Sequence, residues 1–68
     1  MNLSARNVLK GTIEAVQKGQ TTAHVRINVG GTIVTASITN QSVDDLKLKV
    51  GDTAYAVIKA SDVMVGID

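Results

Sequence analysis

Cysteine is absent, which removes both a disulfide framework and a thiolate metal site. Phenylalanine and tryptophan are absent too, and Tyr55 is the one aromatic residue. Large aromatics bury roughly 150–250 Å² each, so the core has to be assembled from Val, Ile, Leu and Ala. The chain has 68 residues, and a domain near this size removes only about 60% of its unfolded surface from water. An aliphatic core this small is expected to borrow buried surface from neighbouring subunits, as a stable oligomer with little folded monomer. There is no run of like charge either: seven basic and six acidic residues, spread along the chain, give a net charge of +1. Nothing therefore suggests a polyanion-binding tail or a membrane-surface patch. No apolar run approaches the ~18 residues of a membrane span. Met1 to Lys10 lacks a long apolar stretch ending in a small-residue cleavage site. The expectation is one domain over residues 1–68, cytoplasmic, with no membrane partner.

What is present is mostly strand signal. Val8 to Val16 mixes apolar and polar residues around Gly11, and a glycine inside a strand pattern marks a bulge or a sharp bend. Lys18-Gly19-Gln20 reads as a turn. Ala23, Val25, Ile27 and Val29 then alternate with His24, Arg26 and Asn28, the period of a half-buried strand. Gly30-Gly31 separates this run from Thr32 to Ile38, as in a two-residue hairpin with positive φ at both centres. Thr39-Asn40 can cap a short helix ending at Leu46, with Asp44 and Asp45 in its first half where the helix dipole favours them. Gly51-Asp52 turns into a fourth strand, Thr53 to Ile58, and a last short strand is expected over Asp62 to Val65. The fold class is all-β: a five-stranded OB-like barrel with one short helix.

Enzymatic constellations are thin. His24 is the single histidine, and no Ser/His/Asp set can be argued from spacing. Asp44 and Asp45 are better explained as helix residues than as a carboxylate pair. A bare cation needs a cluster of ligands that His24 and distant acids do not supply. Gly30-Gly31 lacks the following helix and the Lys-Ser/Thr pair of a phosphate loop. The chain is read as a non-enzyme without a cofactor or bare-metal site. An OB-like barrel raises the alternative of a nucleic-acid or protein interaction module. Single-strand binders, however, combine a basic groove with aromatic stacking platforms, and one tyrosine with balanced charge supplies neither.

A polar signal remains at the two ends of the chain. Ser4-Ala5-Arg6-Asn7 opens it and Lys59-Ala60-Ser61 nearly closes it. Hydroxyls, cations, an amide and backbone N–H groups are what a fully deprotonated oxyanion requires. On spacing alone, Arg6 and Lys59 read more simply as solvated charges and Ser61 as a turn cap.

The two ends do not stand alone. Ser4-Ala5-Arg6-Asn7, followed by Leu9-Lys10-Gly11, Thr21 to Val25, and Tyr55 to Val63, closely resembles the molybdenum-pterin-binding (Mop) domain of the molbindins. The likeness runs from about Leu3 to Met64. It implies an OB-like barrel assembled as a hexamer, a trimer of dimers, that binds molybdate or tungstate as the intact oxyanion at subunit interfaces, for molybdenum storage or homeostasis. It further implies that Ser4, Ala5, Arg6 and Asn7 match the opening half of the oxyanion site. Lys59, Ala60 and Ser61 match the closing half, and Thr39 matches a hydroxyl joining from a strand end. Relatives carry the domain in tandem or fused to regulators and transporter ATPases, and the family has a second class of interface site.

The chemistry of the ligand agrees. Molybdate is a tetrahedral dianion without a proton at neutral pH, so a good site presents donors and excludes carboxylates; phosphate, partly protonated, would want an acceptor. Both motifs are acid-free until Asp62, whose side chain points away from the pocket if strand alternation holds. Burying the dianion requires cations to offset its desolvation. Selection against sulfate must rest on cavity size, and molybdate and tungstate are too alike to be separated.

Overall fold

A computed structural model describes residues 3–68; Met1 and Asn2, which begin the stretch read for an export signal, lie outside the described residues. The order of elements is β1 (Asn7–Lys18), β2 (Thr22–Asn28), β3 (Ile33–Thr39), α1 (Asn40–Leu46), β4 (Thr53–Ile58) and a 3-10 turn, η1 (Ala60–Asp62). The four strands form one antiparallel sheet in the order β3-β2-β1-β4. β1 serves two partners in succession: Asn7 to Thr12 pairs with β4, and Thr12 to Lys18 pairs with β2. The sheet has to curl where one partner replaces the other.

Gly11 makes that curl possible. A Cβ there would lie 2.3 Å from the Asn28 backbone oxygen and 2.8 Å from the Ile27 Cγ2. The bulge itself falls further on, between Ile13 and Ala15. Within it the Ile13 N–H donates to Asp52 O (2.9 Å) and the Gly51 N–H donates to Ile13 O (2.8 Å), tying the turn before β4 to the bend of β1.

The alternation read in β2 is observed. Ala23, Val25 and Ile27 are buried, while Thr22, His24 and Arg26 are exposed. With Ile13, Val43 and Ala56 they make a core without aromatics. Gly30 and Gly31 have φ of +85° and +100°, and the Val29 N–H donates to Thr32 O across them (2.8 Å), as the hairpin requires.

The helix lies where the sequence put it, and Thr39 is its N-cap: its side chain accepts from the Ser42 N–H (3.0 Å). The two acids do not sit in the first turn, however. They fall in the last four residues, so the helix dipole does not favour them; Asp44 instead pairs with Lys18 Nζ at 2.5 Å. Lys18 is thereby the last residue of β1 and an ion-pair partner, rather than a turn residue in free solution. Both side chains are largely exposed, so the pair contributes at most about 1 kcal/mol. Lys47 ends the helix in the left-handed region (φ 53°, ψ 45°), with its N–H on Asp44 O and Val43 O. Glycine suits such a position better. Lys47→Gly should therefore raise stability by up to ~1 kcal/mol, measurable as a shifted urea midpoint with an unchanged slope.

The expected fifth strand is not formed. Ala60–Asp62 is a 3-10 turn, and residues 63–68 have no regular structure. A strand exists only against a partner, and no edge of the sheet pairs with Asp62 to Val65 in the single chain. The result is a four-stranded half-barrel rather than a closed one. Between its free edges, β3 and β4, lies a trough of about 440 Å³ lined by core residues and by Ala36, Ile38, Leu46, Leu48 and Thr53 to Val57.

Candidate functional site

The antiparallel pairing of β1 with β4 sets Asn7 opposite Ile58. The start of one strand thus meets the end of the other, and residues more than fifty positions apart in sequence become neighbours. Ser4, Ala5 and Arg6 run into β1 at this end; Lys59, Ala60 and Ser61 run out of β4 there. Asn7 latches the two: its Nδ2 donates to Ile58 O at 3.2 Å. One of its two amide N–H donors is consumed in this way, leaving the other and the carbonyl oxygen.

The surroundings are rich in donors and open to solvent. Arg6, Ser4, Lys59, Ala60 and Ser61 are exposed and Ala5 is half-buried. Among the described residues neither Arg6 nor Lys59 forms an ion pair; the pair that does form uses Lys18. Lys59 is the extended residue preceding η1 (φ −64°, ψ 141°). The turn is closed by the Asp62 N–H on Lys59 O (2.9 Å) and the Val63 N–H on Ala60 O (3.2 Å). The first N–H groups of such a turn have no acceptor inside it, which leaves those of Ala60 and Ser61 free to donate outward. Asp62 is a turn residue, so strand alternation does not direct its carboxylate away from this group as the sequence reading supposed.

Thr39 is elsewhere. It ends β3, opposite Thr22 of β2, and Thr22 lies beside the far end of β1 from Asn7. The full run of β1 separates Thr39 from Arg6 and Lys59 in one subunit, in a molecule whose longest extent is 34 Å. Its hydroxyl is already occupied, donating to Ser42 Oγ (2.8 Å) while capping α1. A single subunit therefore brings seven of the eight sequence-derived residues together and leaves Thr39 apart.

His24 is exposed at mid-strand on the outer face of the sheet, between Gln17 and Ser37. It is remote from the joined motifs, and His24→Ala should leave oxyanion affinity at the principal site within about twofold; calorimetry on assembled protein reads this directly. No group of three His, Cys, Asp or Glu side chains among the described residues could hold a metal ion. No helix among them is long and apolar enough to cross a membrane. Sequence reasoning missed the apolar trough, because its lining comes from all four strands, α1 and the segment after it, and only the curl of the sheet assembles it.

Comparison with known proteins places this geometry. The TOBE domain model matches residues 3–65. A probable molybdenum-pterin-binding protein of Haemophilus influenzae is 42% identical over 69 residues, covering 100% of both chains. The structure of a molybdate-binding protein from Sporomusa ovata superposes with a TM-score of 0.94 at 37% identity, covering 98% of this chain and 100% of that one. The cytoplasmic molybdate-binding protein ModG, with molybdate bound, gives a TM-score of 0.94 at 43% identity; all of this chain matches 49% of that longer one. The chain belongs to the TOBE-domain family and, within it, to the molbindins.

Proposed function

We propose that the chain is a single molbindin domain over residues 1–68 that binds molybdate or tungstate as the intact oxyanion, for intracellular storage or homeostasis, without catalysing a reaction. The observation that carries this reading is the Asn7–Ile58 pairing, which joins two acid-poor, donor-rich motifs and two cations at one end of the sheet. Similarity to molybdate-binding proteins supports the choice of ligand. Ser4, Ala5, Arg6, Asn7, Lys59, Ala60 and Ser61 form one wall of the site.

The wall is exposed, and a dianion held there in water would be bound weakly. A second subunit supplies the enclosure, and Thr39 of that subunit approaches from its own sheet end once its hydroxyl turns from Ser42. The assembly is a homo-oligomer, a hexamer built as a trimer of dimers, in which each barrel gains its fifth strand. The cytoplasm is the compartment where such a buffer would act. Molybdate at a hundred times its dissociation constant should stabilise the folded assembly by about 2.7 kcal/mol and raise its melting temperature. Single-stranded oligonucleotides should not raise it. A response to oligonucleotides without one to molybdate would replace this reading with that of a nucleic-acid module.

A further inference from the structure

Of the acidic residues spread along the chain, one stands against the closing motif of the oxyanion site. Glu14 binds the Asn28 side chain, Asp44 pairs with Lys18, and Asp45 follows it in α1. Asp52 precedes β4, at the opposite end of that strand from Lys59. Asp62 is different: it is the last residue of η1, next to Ser61 and three positions after Lys59. The Asp62 N–H donates to Lys59 O (2.9 Å), which folds the chain back between the two residues. A turn closed in this way holds its end Cα atoms within about 7 Å, and side chains three apart in a 3-10 turn lie one above the other. The carboxylate therefore stays close to the donors of the motif. It is exposed, and among the described residues it forms no ion pair with Lys59, Arg6 or any other cation.

We propose that Asp62 sets the upper limit of the site's affinity for dianions: its unpaired carboxylate opposes the charge that Arg6, Lys59 and the N–H groups of η1 attract. The proposal rests on the reading of the joined motifs as an oxyanion site and adds the group that works against the ligand. Donors and two cations alone would hold a dianion tightly and release it slowly, whereas a storage protein has to give its ligand back. A fixed negative charge beside the donors speeds release without altering the shape of the site. A unit charge about 8 Å from a dianion changes binding about fivefold even in bulk water, and enclosure by a second subunit adds to this by excluding water. Repulsion scales with ligand charge, so on a logarithmic scale a dianion is penalised twice as heavily as a monoanion of the same size. The turn itself does not depend on the carboxylate. It is closed by two backbone hydrogen bonds, from the Asp62 and Val63 N–H groups.

The test uses the full chain. Asp62→Asn keeps the size of the side chain and both backbone bonds of the turn and removes the charge. In calorimetric titration of the assembled protein, the variant should bind molybdate and tungstate at least about fivefold more tightly than the parent. Perrhenate is a tetrahedral monoanion close to tungstate in size. Measured by competition with tungstate, it should gain by about the square root of that factor, roughly twofold. Asp52→Asn makes the same change in net charge at the other end of the six-residue β4, about 20 Å away. It should alter affinity less than about twofold, because that distance exceeds the screening length of about 10 Å in 0.1 M salt. Unchanged or weaker binding by Asp62→Asn would make Asp62 a bystander or a prop of the turn, and overturns the proposal while leaving the oxyanion site intact. Equal gains for tungstate and perrhenate would trace the effect to a reshaped turn, and a gain matched by Asp52→Asn would trace it to net charge; each overturns the proposal too. A parent that binds none of the three anions overturns the oxyanion reading itself, and the proposal falls with it.

Discussion

Lys59→Ala is expected to lower molybdate affinity about ten- to hundredfold, and Arg6→Ala by a similar factor. A hydrogen bond to a charged group contributes roughly 1.5–3 kcal/mol, and every 1.4 kcal/mol is a factor of ten in binding. Both cations flank the Asn7–Ile58 pair, and among the described residues neither is bound to a carboxylate. Lys47 and Lys49 are the controls: they follow α1, exposed, at a different part of the surface. Alanine at either should change affinity less than about twofold, and salt should remove the difference, since they act only through the screened field. Lys18 would be a poor control, because removing it also frees Asp44. The measurement is calorimetric titration of variants whose sedimentation matches the parent. Equal, small effects at all four positions would make Arg6 and Lys59 ordinary surface charges.

Gly11→Ala is expected to cost more stability than any single truncation at the surface, at least about 3 kcal/mol. The added Cβ would meet the Asn28 backbone oxygen at 2.3 Å, and both strands are held at that point. Thr12 pairs with Asn28 on one side and with Thr53 on the other, so β1 cannot retreat without opening one ladder. Overpacking typically costs 1–3 kcal/mol where side chains can give way; here the obstacle is backbone. Total stability of a domain of this size is often only 5–10 kcal/mol, so the variant should unfold at a much lower urea midpoint or accumulate as insoluble protein. Gly30→Ala is the contrast. Nothing lies within 4 Å of a Cβ there, and its cost, the left-handed φ, should stay near 1 kcal/mol.

Much of the fold was legible because the relevant signals are local. The β2 alternation needs only neighbouring residues, and the hairpin glycines and the Thr39 cap each act within four positions. The fifth strand was not legible from one chain. Val63, Val65 and Ile67 carry strand periodicity, but a ladder partner decides whether a strand forms, and the periodicity is silent about where the partner is. Likewise, Asp44 and Asp45 were assigned to the wrong half of the helix because its short length leaves four of seven residues in the final turn, and the pull of Lys18, 26 positions away in the same chain, is not written in the helix itself. The polar ends of the chain were visible as donor sets, yet spacing alone favoured the surface-charge reading of Arg6 and Lys59. Resemblance to the Mop domain named them as a site, and the β1–β4 register supplies the reason they meet. The distance to Thr39 could not be read from sequence, since it depends on strand order rather than on strand content.

Calorimetric titration of the assembled protein with molybdate, tungstate, sulfate and phosphate tests the central claim most directly. An acid-poor pocket shaped for a large tetrahedral dianion should bind molybdate and tungstate with affinities within about threefold of each other. Sulfate should bind at least about a hundredfold more weakly for want of contact with a larger cavity, a difference near 2.7 kcal/mol. Phosphate should be weaker still near neutral pH, where part of it carries a proton that finds no acceptor. Equal heats for molybdate and sulfate, abolished by moderate salt, would contradict the account and reduce the joined motifs to a diffuse positive surface.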